Sequence, residues 1–161
     1  MMNVEEQIQS LIDHAPPDGQ TPDLIQAIGP GLIQLAQQLR HPQYFILQSR
    51  EQQWLTTILS NRGRPDQEKT VIYAYPTLQD AQRSIAQGDR RHITPAPLAV
   101  IHLLFQFIAL PSVDSLLFFE RPDDRGHALE VKRSELQDLV KSHLQRYKQQ
   151  HPTPPFPPNV A

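Results

Sequence analysis

Apolar positions recur along this chain with two periods, and the switches between those periods mark its elements. Val4, Ile8, Leu11 and Ile12 fall on one side of a short helix over residues 3–13. "HAPPDGQTP" breaks that helix. Leu24, Ile25, Ile28, Leu32, Leu35, Ala36 and Leu39 then form a second helical stripe over 22–40. Thr21 can cap it, Pro22 suits the first position and Asp23 complements the positive end. Gly29-Pro30-Gly31 interrupts the stripe. Pro30 has no N–H and crowds the preceding turn, so a kink or two separate helices are expected.

The period then shortens to two. "QYFILQS" (43–49) and "QQWLTTILSN" (52–61) read as strands close enough to pair as a hairpin. "RGRPDQEK" (62–69) reads as a polar loop. "TVIYAY" (70–75) is a third strand, with Val71, Tyr73 and Tyr75 on one face and Ile72 and Ala74 on the other. Pro76 ends it. Thr77 suits an N-cap, with Asp80 at the capping-box position and Gly88 placed for a left-handed C-cap. Each polar residue at this strand-to-helix corner has a local backbone task. No Ser, Cys or His stands where a nucleophile would.

"RRHITPAP" (90–97) reads as a loop before an apolar helix over 98–108, which Pro111 stops. "DSLLFFE" (114–120) is a dense apolar strand, and "ALEVK" (128–132) is its hairpin partner across "RPDDRGH". Ser134 and Gln137 fit a capping box for a last helix running to about Gln150. The order ααβββααββα predicts an α+β fold: a single mixed five-stranded sheet with helices mainly on one face. Residues 1–150 read as one domain with a helical extension at 1–40. Residues 151–161, "HPTPPFPPNVA", read as an extended proline-rich tail.

Several stretches between Tyr44 and Leu144 resemble the N-terminal domain of the SseB family. They are "YFILQS", "VIYAYPT" leading into "LQDAQRSI", "TPAPLAVIHLLFQF" before "VDSLLFFE", and "ALEVKRSELQDLV". The resemblance implies that family's fold. It also implies a small accessory or regulatory protein without an established catalytic centre. The Gln-rich N-terminal helices and the proline tail depart from the family's pattern.

Composition narrows the chemistry. The 161 residues contain no Cys, which excludes disulfides, thiolate nucleophiles and Cys-ligated zinc and fits a reducing cytoplasm. Net charge is -2 with seven His neutral, against the basic excess of a general nucleic-acid binder. The first seventeen residues hold two Glu and no apolar run, so no signal peptide is expected. "PLAVIHLLFQFIAL" is too short to span a bilayer.

No constellation carries a reaction. The seven His show no i, i+4 pair and no HExxH; distant residues can still assemble a metal site, but neither metal nor cofactor is expected. His102, amid an apolar helix, reads as a core histidine with a general base as the sharper alternative. Arg62, Arg64, Arg90 and Arg91 form a candidate basic patch from two loops, against the plainer reading of helix-end complements. Trp54, Tyr73, Tyr75 and Phe118 on strands, with Phe156 in the tail, are the candidate partner-binding residues.

The expectation is a non-catalytic cytoplasmic accessory protein that binds another protein and regulates or assembles it. A second copy is one candidate partner, and the N-terminal helices and the tail are further candidate surfaces. The alternative is a small enzyme or ligand-binding protein with a pocket assembled near His102 and the basic loops. RNA binding is the weaker alternative.

Overall fold

The computed structural model describes residues 3–16, 18, 21–61, 64–122 and 126–150. In chain order the elements are α1 (Val4–Asp13), α2 (Thr21–Ala36), β1 (Gln43–Ser49), β2 (Thr57–Asn61), β3 (Arg64–Ala74), α3 (Leu78–Arg83), β4 (Ile93–Ala99), α4 (Val100–Ile108), β5 (Ser115–Phe119), β6 (Ala128–Lys132) and α5 (Arg133–Gln150). A 3-10 turn at Gln87–Asp89 separates α3 from β4.

The single five-stranded sheet is not what forms. The fold is α+β with two separate sheets: an antiparallel pair β1–β4, and a four-stranded sheet in the order β2-β3-β5-β6. In the larger sheet β3 and β5 run parallel, while β2 and β6 are antiparallel to their neighbours. The two sheets touch through an isolated bridge between Phe45 and Tyr75.

Two local features explain the difference. First, the expected pairing of 43–49 with 52–61 survives only as a stub. Ser49 and Gln53 close a tight turn, with Gln52 at φ 62, and a bridge joins Gln48 to Trp54. The chain then leaves β1 and pairs with β3 instead.

Second, the stretch read as the loop 90–97 contains β4. Its two prolines hid it. Val100 N–H donates to the Pro42 carbonyl at 2.9 Å, which fixes the phase of the β1–β4 ladder. With Phe45 opposite Pro97 and Leu47 opposite Pro95, both proline nitrogens point away from β1 toward the open edge. Proline is tolerated in a strand at such positions, and there it also removes the donors that a stray strand would use.

Other boundaries move for similar reasons. Residues 64–69, read as loop, extend β3 into a hairpin arm with β2, with a register shift at Ser60/Asn61. Hydrophobic alternation marks only the part of a strand that lies over a core. The helix after Thr77 stops at Arg83, so Gly88 falls in the 3-10 turn rather than capping it. Helix α5 begins at Arg133, which puts Ser134 inside its first turn.

Residues 29–31 neither split α2 nor end it; Pro30 lies inside a helix that runs from Thr21 to Ala36. The flanking glycines have a packing role. A Cβ on Gly29 would meet Ile8 of α1 at 3.2 Å, and one on Gly31 would meet the His143 ring of α5 at 2.7 Å. Small residues here let α2 lie close to both neighbours.

The core sits between the sheets and α1, α2, α4 and α5. Tyr44, Ile46, Ile72, Ala74, Leu116, Phe118 and Val131 supply the strand side. Ile8, Ile25, Ile28, Leu32, Leu104, Phe107 and Leu136 supply the helix side. The apolar stripes of α1 and α2 are thus used in the core; of the large apolar side chains of α2, Leu24 stays exposed. Gln7 is one of the buried polar residues, with Asp80 and Ser115. Its Oε1 accepts the N–H of Ile101 at 2.9 Å and its Nε2 donates to the Pro42 carbonyl at 3.0 Å. It caps α4 from a distant helix, because Ala99 at the N-cap offers no side-chain acceptor.

Among the described residues, no helix is long and apolar enough to cross a membrane.

Candidate functional site

Strand residues alternate between faces, so the strands that present Ile72, Ala74, Leu116 and Phe118 to the helices present Tyr73, Leu117 and Phe119 to the other side. The short helix α3 lies there, its Ala81 in a small buried cluster with Tyr75 and Phe119, against which Phe45, Leu47 and Tyr73 pack. Thr77 fixes the start of α3 by accepting the N–H of Asp80 at 3.1 Å. α3 packs against β4 and β1, and beyond it part of this face is open.

The open part is a groove of about 580 Å³. Its floor is a platform of rings. Tyr73 stacks on Phe119 with centroids 5.5 Å apart and planes 15° apart. Phe119 stacks on Tyr75 at 5.3 Å and 27°. Such offset contacts hold rings in place beyond what burial alone supplies. Leu47, Leu55, Leu117 and Ala128 extend the apolar lining, which Thr56, Thr57 and Ser84 complete. Among the described residues, no Asp, Glu, Lys, Arg or His lines it. The groove lies where the two sheets diverge, between Leu47 of β1, the 55–57 crossing and Tyr73 of β3.

The predicted partner-binding residues separate. Tyr73 and Tyr75 lie in this platform, Tyr75 largely buried and Tyr73 half-buried. Phe118 points the other way and is fully buried against Tyr44, with ring centroids 4.9 Å apart. Trp54 also turns from the groove; it packs against the main core and lines a separate cavity with Ile72 and Gln106. Phe156 lies outside the described residues. Phe119, adjacent to Phe118, is the ring that the platform uses. The sequence signal for it was the alternation itself, once Tyr73 is placed opposite Leu117.

The basic residues do not converge. Arg62 lies outside the described residues. Arg64 opens β3, ten residues and about 33 Å of strand from Ala74. Arg90 and Arg91 follow α3, beyond the other end of β3, and both are exposed. Arg90 lines a cavity of about 480 Å³ with Arg83 and Gln79. Arg50, not singled out from sequence, donates from Nε to the Arg91 carbonyl at 2.9 Å.

His102 sits on α4 in the helix layer and lines none of the cavities that hold these arginines. Burial lowers its pKa, opposed by a hydrogen bond with the Gln7 backbone and aided by the charge of His14. Its Nε2 is buried and meets no hydrogen-bond partner among the described residues. A second buried polar group is Tyr44. Burial first, and the Glu120 carboxylate second, push its phenol well above the ordinary range, so it stays protonated. The ring fills the core between His41 and Phe118 and borders no described cavity. No cluster of three His, Asp or Glu side chains suited to a metal ion occurs among the described residues.

The chain matches no protein-family model and no curated protein.

Proposed function

We propose that this is a non-catalytic accessory protein that binds another protein and regulates or assembles it, holding an extended apolar segment of that partner on the aromatic platform. One observation carries the reading: Tyr73, Tyr75 and Phe119 stack on one another in a groove whose described lining holds no charged side chain. Aromatic side chains anchor protein interfaces because they bring much contact area at little cost in rotamer freedom. A groove whose described lining holds no Asp, Glu, Lys, Arg or His suits recognition rather than proton or group transfer. The resemblance to the SseB family, with its accessory members, points the same way. The cysteine-free composition supports a reducing compartment, and we place the protein in the cytoplasm.

Substituting Tyr73 tests the reading. Immobilised wild-type protein should retain a stoichiometric partner, and Tyr73→Ser should weaken that complex at least about tenfold while far-UV circular dichroism stays unchanged. Equal retention by both proteins would refute the groove as the binding site.

A further inference from the structure

We infer that β2 pairs edge to edge, antiparallel, with β2 of a second copy of this chain, so that the larger sheets of two protomers join into one continuous sheet. The inference makes no use of the aromatic groove.

The strand edges differ in how they are finished. The outer edge of β1 meets Tyr75 and Trp54 through isolated bridges. β4 turns its proline nitrogens outward. β6 carries Glu130 and Lys132. Proline and charge keep an edge from recruiting another strand. β2 has neither: "WLTTILSN" (54–61) contains no charged residue and no proline. It ends its sheet, and among the described residues no further strand pairs with it.

The direction of the β2 backbone groups follows from β3. The Thr70 carbonyl accepts the N–H of Asp114 at 2.8 Å, and the Thr70 N–H donates to the Asp114 carboxylate at 2.9 Å, so both groups of Thr70 point toward β5. Ile58 is the register partner of Thr70. That pair exchanges no hydrogen bonds, and the N–H and carbonyl of Ile58 point to the open edge. Ser60, two positions on, has the same orientation. An antiparallel strand would satisfy these donors and acceptors in order.

The side chains point to β2 itself as that strand. Ile58 is 60 % exposed and Leu59 39 %, two of the four large apolar side chains left exposed among the described residues. A two-fold axis at Ile58 sets it against its own copy and sets Leu59 beside the partner's Thr57. Apolar pairs facing across neighbouring strands stabilise a sheet. The charged neighbours on β3, Glu68 and Lys69, lie opposite Ser60 and Leu59, so neither faces its own copy across the axis. Each chain uses this edge once, and the assembly closes at two copies. The contact is short, in the class of transient interfaces that bury less than about 1,200 Å². Dilution should therefore dissociate it.

Sedimentation equilibrium of the full chain over a dilution series tests the dimer. Wild type should pass from dimer to monomer. Ile58→Lys places two like charges on the axis and should weaken the dimer at least about tenfold, with far-UV circular dichroism unchanged. Wild type that stays monomeric at every concentration overturns the proposal, and so does a dimer that Ile58→Lys leaves intact. Amide exchange in the unaltered chain is the second readout. Exchange at Ile58 and Ser60 should slow as concentration rises. Protection that is the same at every concentration would assign the edge to another segment of the same chain and overturn the second copy. The chain has no cysteine, so Ile58→Cys provides a unique thiol. Hydrogen-bonded antiparallel partners stand about 5.5 Å apart at Cα, within disulfide reach. Mild oxidation should therefore cross-link Ile58→Cys faster than Leu59→Cys; the reverse order would overturn the axis at Ile58. Loss of self-association would leave the partner test with Tyr73→Ser untouched, so each reading can fail alone.

Discussion

The two faces of the same strands have opposite fates. On the helix side, Tyr44, Ile46, Leu116 and Phe118 have no exposed surface. Four helices pack on them, and Gln7 bonds both the Pro42 carbonyl just before β1 and the Ile101 N–H in the first turn of α4. On the other side, Tyr73 and Leu117 stay half-buried, and Tyr75 and Phe119 are buried in a small separate cluster with Ala81 of α3. Residues one position apart in β5 therefore do different things. Phe118 contributes to stability, whereas Phe119 builds a surface. The difference teaches that apolar content alone does not separate core from contact surface; the phase of the strand does.

The sharpest way to break this comparison is to truncate across it. Phe118→Ala should destabilise the protein by about 3–5 kcal/mol, because it leaves a cavity among fixed neighbours. Tyr73→Ser should cost about 1 kcal/mol, the half-exposed ring losing little burial. Urea denaturation reads both. Equal losses would mean that the groove is an extension of the core.

A smaller loss is expected at Gln7, where the helix side is held by polar rather than apolar contact. Gln7→Ala removes the acceptor for the Ile101 N–H and one donor to the Pro42 carbonyl. The expected cost is about 2–3 kcal/mol. Amide exchange at Ile101 should accelerate more than exchange in β5. Uniform acceleration would show that Gln7 only packs, without capping α4.

Gly31 probes the same side through close approach. Gly31→Ala gains helix propensity but drives a methyl into the His143 ring. A net loss of about 1 kcal/mol is expected, and it should disappear when Gly31→Ala is combined with His143→Ala. A loss that persists in the double variant would place the strain elsewhere.

How far the sequence carried depends on which signal each residue sends. Alternation in "TVIYAY" separates Tyr73 and Tyr75 from Ile72 and Ala74, and the structure divides them in the same way. In "SLLFF" that signal vanishes. Four consecutive apolar residues follow Ser115, so nothing local sets the phase, and only the register with β3 assigns Phe118 to the core. β4 was hidden because Pro95 and Pro97 imitate a loop; their placement on an open edge is a property of the partner strand, not of the local sequence. Gln7 was hidden because a polar residue beside an apolar stripe reads as surface, and its partners lie 35 and 94 positions away. The groove was hidden for the same reason as the sheet split: both depend on β1 leaving the 53–61 segment for β4.

The smallest expected effect concerns pH and again lies on the helix side. His102 is held neutral in the folded chain, since burial lowers its pKa below the ordinary value near 6.5. The hydrogen bond with the Gln7 backbone opposes that shift, while the charge of His14 reinforces it. In the unfolded chain the ring protonates as pH falls through about 6.5. Between that value and the folded pKa, the unfolded state binds more protons than the folded one. Stability is therefore full above pH 6.5, declines as pH falls toward the folded pKa, and then levels off for this group. His102→Gln should remove that part of the decline. The measurement is the difference in melting temperature between wild type and variant at pH 7.5 and pH 5. A difference that stays constant across the two would show that the imidazole has the same proton affinity in both states. In that case the joint between α1 and α4 would owe nothing to charge.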